Sequence, residues 1–120
     1  MSKVEQQAAF LKDAARLIQQ AEKFGLIVTG GELFRTQEQQ DLHFANGKSR
    51  LRHSTHQDRM AIDLNFFKKR AAGQPELTYN KADIQELGDW WETLSPQNKW
   101  GGNWSGFIDT PHFQRNEIVL

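Results

Sequence analysis

The chain of 120 residues contains no cysteine. Disulfide bonds, thiolate metal ligands, iron–sulfur clusters and a cysteine nucleophile are therefore excluded. Any metal site must use His, Asp and Glu side chains, and only four histidines are present: His43, His53, His56 and His112. Because closed structural zinc sites usually rely on Cys, a metal site of this composition would be of the catalytic type.

The chain also lacks a net charge and a long apolar run. Lys plus Arg and Asp plus Glu number 15 each, and this balance argues against a dedicated nucleic-acid binder. No stretch approaches the ~20 apolar residues of a membrane span, and the charged N-terminal segment does not have the pattern of a secretory signal. We therefore expect a monomer that is made in the cytoplasm without a signal peptide or membrane insertion. The length predicts a single domain over residues 1–120.

Three segments have the sequence pattern of helices. Apolar side chains recur at three- and four-residue steps over residues 3–23, and Ser2 can cap the start of that helix. Thr36 begins a capping box that predicts a helix to about residue 44. Residues 81–94 carry a third buried stripe.

Strand patterns are shorter. Residues 60–66 alternate apolar and polar or small side chains, so that Asp63 lies on the face away from the core. Further strands are predicted at 26–29, 107–108 and 112–114. Helices thus segregate from a few hairpin-like strands, which predicts an α+β fold with a small antiparallel sheet packed with helices.

Two short segments carry the residues best suited to chemistry. His56 lies in the loop before the strand that bears Asp63, and an imidazole and a carboxylate are both good zinc ligands. Their spacing alone is equally compatible with a loop histidine and a solvated strand aspartate. Asp109 precedes His112 with Pro111 between them, and proline favours a bend that could aim both side chains into one pocket. The alternative is a buried, hydrogen-bonded histidine among aromatic residues.

These segments match a known pattern when they are taken together. Residues 54–63 resemble a Ser-x-His-x-x-Gly-x-Ala-x-Asp signature, with Arg59 in place of the Gly, and residues 109–112 resemble an acidic residue three before a His. Residues 30–36, followed by Gln39 or Gln40, resemble a Gly-Tyr-Arg-Ser/Thr…Gln segment. The chain therefore resembles the M15 zinc peptidases over about residues 25–115. That family includes D-Ala-D-Ala carboxypeptidases and dipeptidases and phage L-alanyl-D-glutamate endolysins.

The resemblance implies a Hedgehog/DD-peptidase-like fold and one catalytic Zn²⁺ held by His56, Asp63 and His112. Three protein ligands leave the fourth zinc position open, as a catalytic site requires. The resemblance also implies that Asp109 is the general base and that Arg35 binds substrate or stabilises the developing oxyanion.

Further expectations concern the walls of the site. Ser54 and Trp104 are candidates for substrate binding, although a loop serine is as often a turn residue. Trp100 could also line the cleft, whereas Trp91 is expected in the core. Arg59, at the position of the family glycine, is expected to narrow or recharge the pocket.

The function expected from the resemblance is hydrolysis of a peptidoglycan stem peptide at the L-Ala–D-Glu bond. The protein would be a phage-type endolysin that reaches the cell wall after release. A D-Ala-D-Ala carboxypeptidase or dipeptidase and a non-catalytic, zinc-containing wall-binding module are the alternatives. Binding of nucleic acid is not expected, although a basic stretch surrounds the first motif: Lys48, Arg50, Arg52, Arg59, Lys68, Lys69 and Arg70.

Overall fold

The computed structural model describes residues 1–49, 51 and 53–119. Its three helices are α1 (Lys3–Lys23), α2 (Gln37–Ala45) and α3 (Lys81–Thr93). Its strands are β1 (Leu26–Gly30), β2 (Ala61–Lys68), β3 (Glu76–Thr78), β4 (Asn98–Trp100) and β5 (His112–Arg115), with a 3₁₀ turn at Gly101–Asn103. The strands form one antiparallel sheet in the order β1-β2-β5-β4, and β3 also pairs with β2. The predicted α+β class is confirmed.

The helix ends follow their capping residues. Ser2 and Thr36 each form a capping box. The hydroxyl oxygen accepts the backbone N–H of the residue three positions on, and the side chain of that residue accepts the backbone N–H of the capping residue. Helix α1 ends at Phe24, and Gly25 then takes a φ of +85°, the left-handed conformation that favours glycine after a helix. The three predicted helices are therefore confirmed within one or two residues.

The core lies between helices α1 and α3 and one face of the sheet. Trp91 is fully buried, as predicted, and its indole N–H lies 3.2 Å from each of two backbone carbonyl oxygens, those of Lys99 and Gln114. Trp91 belongs to a cluster of buried apolar side chains that also includes Phe10, Ala14, Leu17, Ala21, Leu26, Met60, Leu64, Phe66, Ile84, Leu87, Trp100 and Phe113. The opposite face of β2 and β5 is left for polar side chains.

Two expectations from the sequence are wrong. Residues 107–108 form no strand, because they follow a bend with Gly106 at a φ of +84°. The expectation that Trp100 lines the cleft is also wrong, since this residue ends the short strand β4 and is fully buried. No helix among the described residues is both long and apolar enough to cross a membrane.

Candidate metal centre

Three side chains from separate segments meet on the polar face of the sheet. Asp63 on β2 is the register partner of His112 on β5, and antiparallel register partners project to the same face. His56 comes from the turn that leads into β2. One potential ligand atom from each residue lies within 4.8 Å of the other two. The structure therefore brings together the three residues that the sequence nominates as metal ligands.

The ring of His56 is held so that one nitrogen has an unused lone pair. Its Nδ1 lies 3.2 Å from the carbonyl oxygen of Leu33, so Nδ1–H is the donor and Nε2 carries the lone pair. Nε2 lies 3.2 Å from Oδ1 of Asp63 but has no hydrogen-bond partner among the described residues. Because a buried, unpaired nitrogen is costly, this atom fits the role of a metal ligand.

His112 has an oxygen neighbour at each of its two ring nitrogens. Its Nε2 lies 2.7 Å from Oε1 of Gln114, and its Nδ1 lies 3.1 Å from Oδ1 of Asp63. The ring of Trp104 covers it at a centroid distance of 5.1 Å. The donor set of two imidazole nitrogens and one carboxylate oxygen is one that zinc prefers.

Opposite charges dominate the electrostatics of this cluster. Burial alone would raise the pKa of Asp63, but its contacts with His112 and His56 outweigh burial and hold that pKa well below its usual range. Burial alone would lower the pKa of His112, but the hydrogen bond and charge of Asp63 raise it. Asp63 is therefore ionised at neutral pH, and a metal ion that bound here would compete with a proton on His112.

Two backbone hydrogen bonds tie Asp63 on β2 to the segment that follows β1. Its N–H donates to the carbonyl of Glu32 at 2.8 Å, and its own carbonyl accepts the N–H of Gly31 at 2.9 Å. The approach of Gly31 is so close that a Cβ there would lie 2.6 Å from the Asp63 carbonyl oxygen. Glycine is therefore required at this position to let the segment after β1 hold Asp63.

Gly31→Ala is expected to destabilise the protein by about 1–3 kcal/mol, because the overlap with backbone can be relieved only by moving β2. Gly30→Ala is the matched control, since a Cβ there meets nothing within 4 Å, and its effect should stay within about 0.5 kcal/mol. Urea unfolding of both variants checks this, and equal stability of the two would contradict it.

Asp109 reaches the site through the bend predicted from Pro111. The N–H of His112 donates to the carbonyl of Asp109 at 3.2 Å, and the N–H of Asp109 donates to the carbonyl of Gly101 at 3.0 Å. Burial raises the pKa of the Asp109 carboxyl, and the charge of Asp63 adds to this rise while His112 opposes it. The carboxyl thus lines the same cleft as the metal cluster with its proton affinity increased.

Arg35 forms another wall of the cleft, and two neighbours hold its guanidinium. Its Nε donates to Glu32 at 2.7 Å, and Nη2 donates to the same carboxylate. Its Nη1 donates to Gln40 at 2.6 Å, and Gln40, which is fully buried, donates in turn to Ser49 and the carbonyl of Leu51. The remaining guanidinium N–H groups are available to an anionic group in the cleft.

The cleft has a volume of about 380 Å³, within the usual range for small-ligand sites. Ser54 and Trp104 line it, together with Lys48. Ser54 also has a local role, because its hydroxyl oxygen accepts the N–H of His56 at 3.2 Å and fixes that turn. Both residues are therefore positioned to meet a substrate, and their binding role stays a prediction.

The other histidines lie outside the cluster. His53 is 60% exposed at its side chain and lies 3.1 Å from Asp58, and His43 on α2 is partly exposed. Of the basic stretch, Arg50 and Arg52 lie outside the described residues. Lys48 alone among its described members lines the cleft.

Arg59 does not lie in the cleft. It takes a φ of +57°, the left-handed conformation that a glycine would adopt without strain, and its guanidinium carbon lies 4.2 Å from the ring centroid of Phe34. The expectation that Arg59 narrows or recharges the pocket is therefore wrong, because the side chain packs against Phe34 and does not line the cleft.

Three residues of the site had no role assigned from the sequence. Glu32 and Gln40 orient Arg35, and Gln114 contacts His112. The alternation of side chains along a strand could have indicated Gln114, because it lies two residues after His112 and hence on the same face. Glu32 and Gln40 contact residues of loops, and such contacts leave no periodic pattern in the sequence.

Comparisons with known proteins identify a family and similar proteins for this chain. The sequence model of a peptidase M15 family described as D-alanyl-D-alanine carboxypeptidase matches residues 47–115. The L-alanyl-D-glutamate peptidase of Listeria phage A118 is 32% identical over 108 residues, which cover 86% of this chain and 35% of that protein. The chain thus spans about a third of the length of this relative.

A solved structure shares the fold. The crystal structure of the Serratia marcescens L-Ala D-Glu endopeptidase ChiX superposes with a TM-score of 0.67 at 21% sequence identity. The match covers 95% of this chain and 86% of that protein.

Proposed function

The chain belongs to the D-alanyl-D-alanine carboxypeptidase family of M15 peptidases, and on that premise we propose that it is a zinc-dependent endopeptidase that cuts peptidoglycan stem peptides at the L-Ala–D-Glu bond. The observation that carries the proposal is the convergence of Asp63 with His56 and His112, which line a cleft together with Asp109 and Arg35. The sequence similarity to a phage L-alanyl-D-glutamate peptidase supports the choice of bond. A single peptidase domain over residues 1–120 acting as a phage-type endolysin is part of the same proposal.

Each residue of the cleft has a part in the proposed reaction. A zinc ion bound by the three ligands would act as a Lewis acid and bring the pKa of a water molecule to about 7. Asp109 takes the proton of the attacking water and passes it to the leaving amine, because the ligands themselves cannot move protons. The guanidinium of Arg35 binds a substrate carboxylate or the developing oxyanion.

The charge of the cleft suits an acidic peptide. Arg35 and Lys48 present two cationic groups on its walls, and a D-Glu residue on the leaving side of the bond brings a free carboxylate. The family description also keeps a D-Ala-D-Ala carboxypeptidase as the second candidate.

Digestion of purified peptidoglycan tests the proposal and separates the two candidates. Mass spectrometry of the soluble products should reveal new L-Ala carboxyl ends and new D-Glu amino ends. Release of terminal D-Ala alone would favour the carboxypeptidase. Intact stem peptides after incubation with the zinc-loaded protein would refute both.

Arg35→Lys is expected to lower kcat/KM by about 10- to 150-fold, which corresponds to one lost charge-assisted hydrogen bond of about 1.5–3 kcal/mol. Lysine keeps the charge but cannot reproduce the fork held by Glu32 and Gln40. Steady-state kinetics on a stem peptide checks this. Arg16→Lys is the matched control, because Arg16 lies on α1 and pairs only with Asp13 among the contacts described. Equal kinetics of the two variants would remove Arg35 from the site.

A further inference from the structure

The structure holds the Gln114 carboxamide at three points. Its Oε1 accepts from Nε2 of His112 at 2.7 Å and from the hydroxyl of Thr55 at 3.0 Å. Its Nε2 donates to Oδ1 of Asn116 at 2.6 Å. Gln114 is partly buried and lines the cleft. The carboxamide therefore joins the segment that carries His56 to the strand that carries His112.

The contacts fix which way the amide points. A flipped amide would place its NH₂ group opposite Nε2 of His112 and its oxygen opposite Oδ1 of Asn116. Two acceptor oxygens would then lie 2.6 Å apart, which is unfavourable unless Asn116 turns as well. In the observed orientation, every atom of the carboxamide that can hydrogen-bond has a complementary partner.

This orientation determines the tautomer of His112. Since Oε1 of Gln114 can only accept, Nε2 of His112 must carry a hydrogen, and the lone pair of the neutral ring then lies on Nδ1. Nδ1 is the atom that lies 3.1 Å from Asp63 in the metal cluster. The reverse amide orientation would favour a hydrogen on Nδ1 and so block that atom as a ligand.

We propose that Gln114 is a positioning residue, which holds His112 in the tautomer whose Nδ1 can bind the metal ion. The inference rests on the metal site of the proposed function. A carboxamide performs this task without adding charge, so that a site of one Zn²⁺, one carboxylate and two neutral imidazoles keeps its net positive charge. Partners of this kind contribute about 10- to 100-fold to metal affinity.

Zinc binding without substrate tests the proposal. Zn²⁺ affinity is measured by competition with a chromogenic chelator for the wild type, Gln114→Met, Gln114→Glu and the control Gln85→Met, whose site on α3 hydrogen-bonds to Asp89 and Asn103. Met matches Gln in length but accepts no strong hydrogen bond. Gln114→Met should bind Zn²⁺ about 10- to 100-fold more weakly. Gln114→Glu keeps the acceptor for His112 when Asn116 turns its amide to donate to the new carboxylate, and this variant and Gln85→Met should stay within about 3-fold of the wild type.

Long-range ¹⁵N–¹H spectra of the zinc-loaded wild type give a second readout that depends on no variant. They should place the His112 hydrogen on Nε2 and the metal on Nδ1. Wild-type affinity in Gln114→Met, equal weakening in Gln114→Met and Gln114→Glu, or metal on Nε2 would overturn the proposal. A protein that shows the expected zinc dependence but leaves peptidoglycan intact would refute the proposed function and not this inference.

Discussion

His112→Ala is expected to weaken zinc binding by about 100-fold and to lower kcat/KM by at least that factor at limiting zinc. Structural zinc sites with four protein ligands bind Zn²⁺ with a free energy of about 10–16 kcal/mol, which gives roughly 3 kcal/mol for each ligand. The loss also leaves Gln114 and Asp63 without the ring that both contact. Competition with a chelator measures the affinity, and peptide hydrolysis measures the rate.

The chain supplies its own controls for this experiment. His56→Ala should behave like His112→Ala, whereas His53→Ala and His43→Ala should leave zinc affinity within about 2-fold of the wild type, because surface changes have small effects. Wild-type zinc affinity in His112→Ala, or a loss in His53→Ala of the same size, would contradict the assignment of the ligands.

Asp109→Asn is expected to keep zinc affinity and to lower kcat by about 10²–10⁴-fold, the contribution usual for a general acid–base group. Asparagine has nearly the same shape as aspartate but cannot take a proton. The pH dependence of the wild-type activity should also reflect the protonation of Asp109. Since burial raises the pKa of Asp109, activity should fall with decreasing pH at a higher pH than for an ordinary aspartate.

The same substitution should not destabilise the zinc-free protein at neutral pH. A carboxyl whose pKa is raised on folding binds its proton more tightly in the folded state. The free energy of unfolding therefore falls as the pH rises from the pKa of the carboxyl in the unfolded protein to its higher pKa in the folded protein. At pH 7 the ionised Asp109 therefore costs stability, and Asn removes that cost. Urea unfolding should show Asp109→Asn to be at least as stable as the wild type. Retained turnover would remove Asp109 as the base, and a marked loss of stability would contradict the raised pKa of its carboxyl.

The helices could be predicted from the sequence because their signals are local. The capping residues Ser2 and Thr36 indicate where α1 and α2 begin, and the apolar stripe of α1 recurs at three- and four-residue steps. The strands β3 and β4 could not be predicted, since three residues are too few to establish a period of two. Their positions depend on pairing with β2 and β5, which is a tertiary effect.

The burial of Trp100 has a cause that no local pattern reveals. Gly88 on α3 and Gly102 on the turn leave the space that its ring fills, since a Cβ at either position would lie 2.1 Å from the ring. The Trp100 indole N–H then finds the carbonyl of Thr110 at 2.8 Å. A tryptophan in a glycine-rich segment therefore need not belong to a binding cleft.

The residues of the site could be predicted from the sequence, but the residues that hold them in place could not. The resemblance of two motifs to a family pattern indicates His56, Asp63, His112 and Asp109, and register pairing across 49 positions brings Asp63 and His112 together. The sequence left Gln39 and Gln40 as equal matches to one motif position, and only the structure separates them.

Those two glutamines serve different purposes. Gln39 completes the capping box of α2, where its side chain accepts the N–H of Thr36 at 3.0 Å. Gln40 is fully buried and holds the guanidinium of Arg35. Adjacent helix positions point about 100° apart, so that one can cap the helix while the other faces the loop that it anchors.

Stepwise addition of Zn²⁺ to the metal-free protein tests the central claim most directly. The release of new amino ends from purified peptidoglycan is followed at each addition, with His112→Ala in parallel. The account predicts no release at the start, a linear rise to one ion per chain and a plateau beyond, with no rise for His112→Ala over the same range. Full release in the presence of excess chelator would contradict it.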